Sequence, residues 1–284
     1  MSRGQVKVVR SIAELREVVR GWRQGGKRIG LVPTMGALHE GHLALVRTAN
    51  AMSDRTVVSI FVNPTQFAPN EDFARYPRDE AGDLEKLSAI GCDLVWMPDV
   101  AEMYPAGFAT SIVPKGPAEG LESDHRPNFF TGVATVCTKL FTQVTPDLAV
   151  FGEKDYQQLC VVRQVVRDLD LPIEIVAHPT VREPDGLAMS SRNTYMSPAE
   201  RSRAPLIYQT LVRAARDIAE GSSIAAATSR GREELTAAGF KVDYFEVRDA
   251  RTLGVVEDAA KRPLRVLAAA WLGETRLIDN VPLE

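Results

Sequence analysis

The chain has 284 residues, a size at which one hydrophobic core gives way to two, so a larger and a smaller domain are expected. Its formal net charge is −3 with both signs interspersed, which argues against a nucleic-acid partner or a membrane surface. Cys92, Cys137 and Cys160 are far apart and form no Cys-x-x-Cys pair, and no stretch approaches the roughly 18 apolar residues of a membrane span. A cytoplasmic protein in a reducing compartment is therefore expected.

Met1 to Arg10 lacks the apolar core of a signal peptide. Ser11 to Trp22 carries Ile12, Leu15, Val18 and Val19 at helical spacing behind a serine cap, and Gly25-Gly26 ends that helix. Ile29 to Val32 is a buried strand stopping at Pro33, and Leu43, Leu45, Val46 and Ala49 mark a second helix after a glycine-punctuated turn. Thr56 to Val62 is a β-branched strand ending at Asn63-Pro64. A polar segment through Pro69, Asn70 and Tyr76-Pro77-Arg78 leads into a helix over Asp79 to Ile90 and a strand over Asp93 to Met97.

Prolines and glycines then break the pattern from Val100 to Phe130, with Ser111 to Val113 a candidate short strand and Gly116 to Asn128 a loop. Regular alternation resumes with a helix over Thr131 to Val144, a strand over Asp147 to Phe151, a helix over Asp155 to Leu169 and a strand over Ile173 to Val176. Five parallel strands with interleaved helices make an α/β fold, a doubly wound sheet that takes ligand at its strand C-terminal ends. After Pro179 the pattern shifts to a loop over Arg182 to Asn193 and two helices over Ala199 to Glu220 and Ser223 to Ala238. Strands over Lys241 to Arg248, Leu264 to Trp271 and Thr275 to Ile278 follow, with a hairpin turn at Gly273-Glu274. The division expected is 1–180 for a nucleotide- and substrate-binding domain, and 181–284 for a smaller C-terminal α+β domain that lends a phosphate-binding loop.

The most informative stretch joins the first long strand to its helix, Gly30-Leu31-Val32-Pro33-Thr34-Met35-Gly36-Ala37-Leu38-His39-Glu40-Gly41-His42. A strand-turn-helix of this kind offers free backbone N–H groups and the positive end of a helix dipole to phosphate. His39 and His42, three apart, project to one side above the helix start, where an arriving anion would favour their charged forms. Zinc is the weaker reading, since a metalloprotease helix needs His-Glu-x-x-His; the bland alternative is a pair of surface histidines at a helix start, against which the preceding strand and both glycines favour phosphate. Gly152-Glu153-Lys154-Asp155-Tyr156-Gln157-Gln158 repeats the arrangement at another strand end. There Lys154 can neutralise phosphate and Asp155 can accept from a ribose hydroxyl, although alone the stretch reads more simply as a helix cap beside a solvated lysine. Gln158, one turn beyond Lys154, faces the same side. Met189-Ser190-Ser191-Arg192-Asn193 can wrap a polyphosphate or be an ordinary polar linker, and Asn63-Pro64-Thr65-Gln66-Phe67 can read a small polar substrate or be a proline turn.

In this order, His39-Glu40-Gly41-His42, Asn63-Pro64-Thr65-Gln66-Phe67, the 151–158 stretch and Met189-Ser190-Ser191-Arg192-Asn193 closely resemble the pantothenate synthetases, ligases of pantoate and β-alanine. The first motif alone resembles the His-x-Gly-His signature of the wider nucleotidylyltransferase superfamily. The resemblance implies a Rossmann-like fold, a homodimer, and a two-step reaction. Pantoate and ATP, with Mg2+, give pantoyl adenylate and pyrophosphate, and β-alanine then displaces AMP. It implies catalytic roles for His39, His42, Lys154, Ser190, Ser191 and Arg192, and ATP contacts from Pro33, Thr34, Met35, Gly41, Gly152, Asp155, Val181 and Met189 as well. Pantoate would be held by Gln66, Gln158 and Asn63, with Tyr76 nearby; the magnesium ligands are not specified. One departure stands out: where the family commonly reads Arg-Pro-x-His-Phe-x-Gly-Val, this chain has Phe129 at the histidine position. The competing readings are a nucleotidyltransferase that leaves the nucleotide on its product, and a non-catalytic nucleotide- or RNA-binding relative.

Overall fold

The computed structural model describes residues 6–67, 73–257 and 263–283. The expected polar segment at Pro69 and Asn70 lies outside the described residues. The larger sheet is wholly parallel, in the order β1-β4-β3-β2-β5-β6. Its strands are β1 (Lys7–Val9), β2 (Ile29–Thr34), β3 (Arg55–Ile60), β4 (Leu94–Trp96), β5 (Leu148–Gly152) and β6 (Glu174–His178). Six strands are found where five were expected, because β1 is a three-residue edge strand with too few residues to show a period.

The helices of this part are α1 (Ile12–Gln24), α2 (Glu40–Met52), α3 (Glu80–Ala89), α4 (Val100–Met103), α5 (Glu122–His125), α6 (Phe129–Val144) and α7 (Tyr156–Asp168). Ser11 and Glu14 close a capping box on α1, and its Leu15 and Val19 enter the core, each burial contributing about 1.5–3 kcal/mol. Helix α6 is apolar nearly all round and is buried for it, with Val133, Ala134, Cys137, Leu140 and Phe141 in one cluster with residues of α1 and α7. All three cysteines are free and buried.

Two strand expectations need correction. Strand β2 runs through Pro33 to Thr34. Its pairing with β5 stops at Leu31 while pairing with β3 continues to Thr34, and Ile29 faces β5 through its carbonyl. Pro33, four residues on in the alternation, turns its nitrogen toward the side where the ladder has already ended, so no bond is lost. Ser111 to Val113 is not a strand; the amide of Ile112 donates to Thr135 Oγ1 at 3.0 Å instead. The expected 116–128 loop also contains α5.

The C-terminal part carries α8 (Pro198–Arg203), α9 (Leu206–Ala219) and α10 (Ile224–Ala237), then the antiparallel sheet β7 (Lys241–Asp249), β8 (Leu264–Leu272) and β9 (Thr275–Leu283). The single helix expected over Ala199 to Glu220 is two, broken at Ala204-Pro205: both residues keep helical backbone angles, but Pro205 has no N–H to donate one turn back, so the hydrogen-bond ladder is interrupted there. Gly273-Glu274 makes the expected two-residue hairpin between β8 and β9. Strand β8 is apolar almost throughout because both its faces are covered. Val266, Ala268 and Ala270 pack with Ile207 and Leu211 of α9, whereas Leu267 and Ala269 belong to the cluster containing α6 and α7. The small sheet is thereby sandwiched between its own helices and the larger domain.

Candidate active site

Order reverses at β2: β3 lies on one side and β5 on the other, so the turns leaving β2 and β5 meet over the crevice between them. A cavity of about 750 Å³ opens there. Its wall includes Pro33, Thr34, Met35, His39, Gly41 and His42 from the first turn, and Gly152, Lys154, Asp155 and Gln158 from the second. Gln66 and the loop residues Val181, Met189, Ser190, Ser191 and Arg192 line it as well. Every residue singled out from the sequence is thus gathered at one cavity, except Asn63. That side chain is buried behind the wall, donating to Gln66 Oε1 (2.8 Å) and accepting from Tyr104 Oη (2.8 Å) and Thr65 Oγ1 (2.9 Å). It fixes Gln66 rather than facing the cavity.

The two histidines cap their own helix. His39 Nδ1 accepts from the amide of Gly41 at 3.1 Å, and His42 Nδ1 accepts from the amide of His39 at 3.4 Å, a capping box built from imidazoles. With Nδ1 accepting on each ring, the proton of the neutral form sits on Nε2, and both rings offer an N–H donor on the edge away from the turn. Burial, with Lys154 as a repelling neighbour, lowers His39 to about 4; burial, then His39 and Lys154, lowers His42 to about 3. In the structure as it stands the rings are therefore neutral donors, not the cations considered from the sequence. The ring centroids lie 4.1 Å apart. Gly41 has no substitute here, because a Cβ would fall 2.8 Å from His39 Cε1.

Groups that the sequence did not single out hold both turns in shape. Asp83 of α3, itself buried, accepts from the amides of Ala37 (2.8 Å) and Leu38 (2.7 Å), while Lys86 donates to the carbonyl of Leu38 (2.9 Å). Ala37 is kept in the left-handed region, with φ at 51°, by that clamp. On the other side, Asn280 of β9 donates to the carbonyls of Glu153 (2.9 Å) and Lys154 (3.0 Å), and Arg265 of β8 pairs with Glu153 at 3.0 Å. Asp155 caps nothing with its side chain; it lies 3.6 Å from Lys154 Nζ. Ser190 Oγ accepts from the amide of Arg192 (3.2 Å) and opens the 3₁₀ turn Ser191–Tyr195. Ser191 Oγ lies 3.3 Å from Tyr76 Oη. Gly132 of α6 lets the 3₁₀ turn Pro64–Gln66 approach, since a Cβ there would sit 2.3 Å from the carbonyl oxygen of Thr65.

Fold and site define a doubly wound α/β protein whose crevice gathers hydrogen-bond donors from two strand-end turns and a covering loop, a set suited to an anion. The sequence profile of the family described as pantoate-beta-alanine ligase matches residues 7–282, and the chain belongs to that family. A pantothenate synthetase of Rhodospirillum rubrum is 57% identical over 275 residues, 96% of this chain and 98% of that one. The crystal structure of pantothenate synthetase from Thermus thermophilus superposes with a TM-score of 0.91 at 46% identity, covering 97% of this chain and 99% of that chain. A Francisella tularensis pantoate-beta-alanine ligase, solved in complex with beta-gamma ATP and beta-alanine, is 32% identical with a TM-score of 0.83, covering 97% of each chain. The protein is thus an enzyme that ligates pantoate and β-alanine, which selects among the readings left open by the sequence.

Proposed function

We propose that this enzyme forms pantothenate through a pantoyl adenylate, with ATP as its second substrate. The observation that carries the reading is the convergence of two strand-end turns and the Ser190-Ser191-Arg192 loop on one cavity. In the first step a pantoate carboxylate oxygen attacks the α-phosphorus, and the bond to the bridging oxygen breaks to release pyrophosphate. The Nε2–H groups of His39 and His42, with Lys154, Ser190, Ser191 and Arg192, hold the triphosphate and stabilise the charge that builds on it. Pro33, Thr34, Met35, Gly41, Gly152, Asp155, Val181 and Met189 seat the nucleotide, while Gln66 and Gln158 hold pantoate, with Asn63 acting through Gln66. In the second step the amine of β-alanine attacks the acyl carbonyl, AMP leaves with the C–O electron pair, and the amine proton passes to solvent.

Among the described residues no group of three or more His, Cys, Asp or Glu is placed to hold a metal. Mg2+ enters this reading only as the counter-ion the triphosphate carries, and no step is assigned to it. The domain division is placed near residue 180, after β6. A homodimer is proposed as well, as the resemblance to the family implies. No helix among the described residues is long and apolar enough to cross a membrane, and free buried cysteines fit a cytoplasmic setting. The deciding experiment is pantoate-dependent exchange of labelled pyrophosphate into ATP with magnesium and no β-alanine. Exchange is expected; pantothenate formation without it would exclude a released-pyrophosphate adenylate step.

A further inference from the structure

The groups assigned to the triphosphate stand on separate pieces of chain, Lys154 on the turn after β5 and Ser190, Ser191 and Arg192 on the loop after β6. Strand β9 packs against both of their 3₁₀ turns, Glu153–Asp155 and Ser191–Tyr195. The loop leaves the end of a hairpin. Arg182 and Ala188 bridge in antiparallel fashion, the amide of Met189 donates to the carbonyl of Val181 (3.0 Å) and that of Glu183 to the carbonyl of Leu187 (2.8 Å), and Ser190 follows directly. Asn193 ties the 3₁₀ turn back to the hairpin, donating to Glu183 Oε1 and to the carbonyl of Ala188, each at 3.1 Å. The two serines and Arg192 therefore go where the hairpin goes.

One buried pair fixes the hairpin to β9. Arg182 Nη1 and Nη2 meet Asp279 Oδ2 and Oδ1 at 2.6 and 3.0 Å, a fork-to-fork contact to a fully buried carboxylate. The same guanidinium donates to the carbonyl of Gly186 at the hairpin tip (3.0 Å) and lies over the ring of Tyr208 in α9, with Cζ 3.7 Å from the centroid. Gly186 itself abuts that ring, where a Cβ would fall 2.6 Å from Tyr208 Cδ1. The hairpin's other ion pairs, Arg201 with Glu183 and Asp185, are part-exposed and hold it less firmly. Asp279 Oδ1 also accepts from the amide of Asn280 (2.8 Å), the residue whose side chain holds the carbonyls of Glu153 and Lys154. Adjacent residues of one strand thus secure both pieces. Asp279 lines the cavity and Arg182 stands behind it, neutralising a carboxylate that would otherwise repel a triphosphate.

We propose that Arg182 and Asp279 are positioning residues for the ATP triphosphate: they lock the hairpin to β9 beside Asn280 and so set the spacing between Lys154 and the Ser190-Ser191-Arg192 loop. This rests on the reading of that loop as a triphosphate clamp given above. Arg182 touches no substrate; it acts through the hairpin backbone, and a loop shift of about 1 Å is enough to weaken a clamp made of several short contacts.

The test uses variants that keep the net charge of the pair, because removing Arg182 alone would leave a buried carboxylate facing the nucleotide and weaken ATP by repulsion. Arg182→Gln combined with Asp279→Asn replaces the fork by neutral amides, and Arg182→Lys keeps the ion pair without the planar fork or the stack on Tyr208. In the complete reaction the KM for ATP should rise roughly tenfold in the double variant and about threefold in Arg182→Lys, with kcat and the KM for pantoate nearly unchanged. Amide hydrogen exchange should quicken across 187–193 and stay as it was across 152–156. An unchanged ATP KM in both variants, or ATP and pantoate KM rising together, would overturn the proposal, as would hydrogen exchange that quickens equally in the two segments, the mark of a loosened domain. If the double variant does not fold, Arg182→Lys decides by the same measurements. Ser191→Ala keeps the two readings apart. A raised ATP KM there beside unchanged values in the Arg182 variants sinks the positioning role alone, whereas no effect of Ser191→Ala would remove the loop from the triphosphate, and the proposal with it.

Discussion

The turns after β2 and β5 look alike in sequence, each an apolar strand running into glycine and a charged helix start, yet they are stabilised from different sources. The β2 turn is held within the larger domain: two imidazoles cap α2, Asp83 grips the amides of Ala37 and Leu38, and Lys86 takes the carbonyl of Leu38. The β5 turn is held from outside, by Asn280 and Arg265 of the small sheet. Arg265 Nε also donates to Asn280 Oδ1 at 2.6 Å, so the two act as one bracket. The pair of turns therefore separates a wall held by groups of the larger domain from a wall whose turn backbone, at Glu153 and Lys154, is bracketed by the small sheet.

The largest break in this comparison should come from the β2 wall. His42→Ala removes one neutral donor and opens the capping box, and pyrophosphate exchange is expected to fall by roughly 10²–10³, the scale of losing one preorganised donor at a developing charge. Thermal unfolding and circular dichroism should change little beside that loss. A variant that melts far earlier but exchanges normally when folded would make His42 a structural residue only.

Asp83→Asn and Asn280→Ala sharpen the contrast between the walls. Asparagine at 83 keeps one acceptor and turns an N–H donor toward a backbone N–H, costing about 1–3 kcal/mol and distorting the turn. Exchange rate should drop roughly tenfold, at the level expected when a catalytic donor is displaced, with ATP KM nearly unchanged. Asn280→Ala leaves two turn carbonyls without their donor and frees Lys154 to move. A rise of a few fold in ATP KM is expected, with the maximal exchange rate nearly kept. Steady-state exchange kinetics on both variants decide this. Matching changes in KM and rate for the two would mean that the walls respond as one body and that they do not differ in their support.

Legibility in the sequence follows the same division. The β2 turn could be read because its strand, glycines, histidines and helix start lie within thirteen consecutive residues and carry their own periodicity. Asp83 was not legible: within an ordinary amphipathic helix it reads as a solvated acid, and only packing brings it against Ala37. Asn280 and Arg265 lie in strands readable as strands, but their aim at Glu153 and Lys154 depends on how the small sheet docks, which no local pattern encodes. The alternation of helices and strands marked the doubly wound sheet, and it failed where elements were too short to show a period, as at β1, or where a proline could be tolerated for topological reasons, as at Pro33. Asn63 was placed in the right turn, but sequence spacing could not tell a side chain facing the cavity from one supporting its neighbour.

The smallest effect expected is a flat line. Both histidines are held well below the ordinary imidazole value of 6.5, to about 4 and about 3, so lowering the pH from 8 to 5.5 should not titrate them in the folded protein. Pyrophosphate exchange per folded enzyme should accordingly show no acid limb near 6.5 from these rings. Stability behaves differently, because the unfolded chain takes up protons at its histidines below about 6.5 while the folded chain does not. The neutral rings thus contribute fully above that value, and their contribution declines as pH falls toward 4 and then 3. Buried Asp83 and Asp279, whose carboxyls burial raises, act in the opposite sense at the acid end. The difference in denaturant midpoint between the unmodified protein and a His39→Asn, His42→Asn double variant isolates the histidines. That difference should shrink or reverse as the pH is lowered from 7 to 5, since only the unmodified protein must keep these two rings neutral. A rate that instead follows a titration near 6.5, with no such change in the midpoint difference, would mean that the rings work as cations and that the β2 wall binds phosphate by charge rather than by two oriented neutral donors.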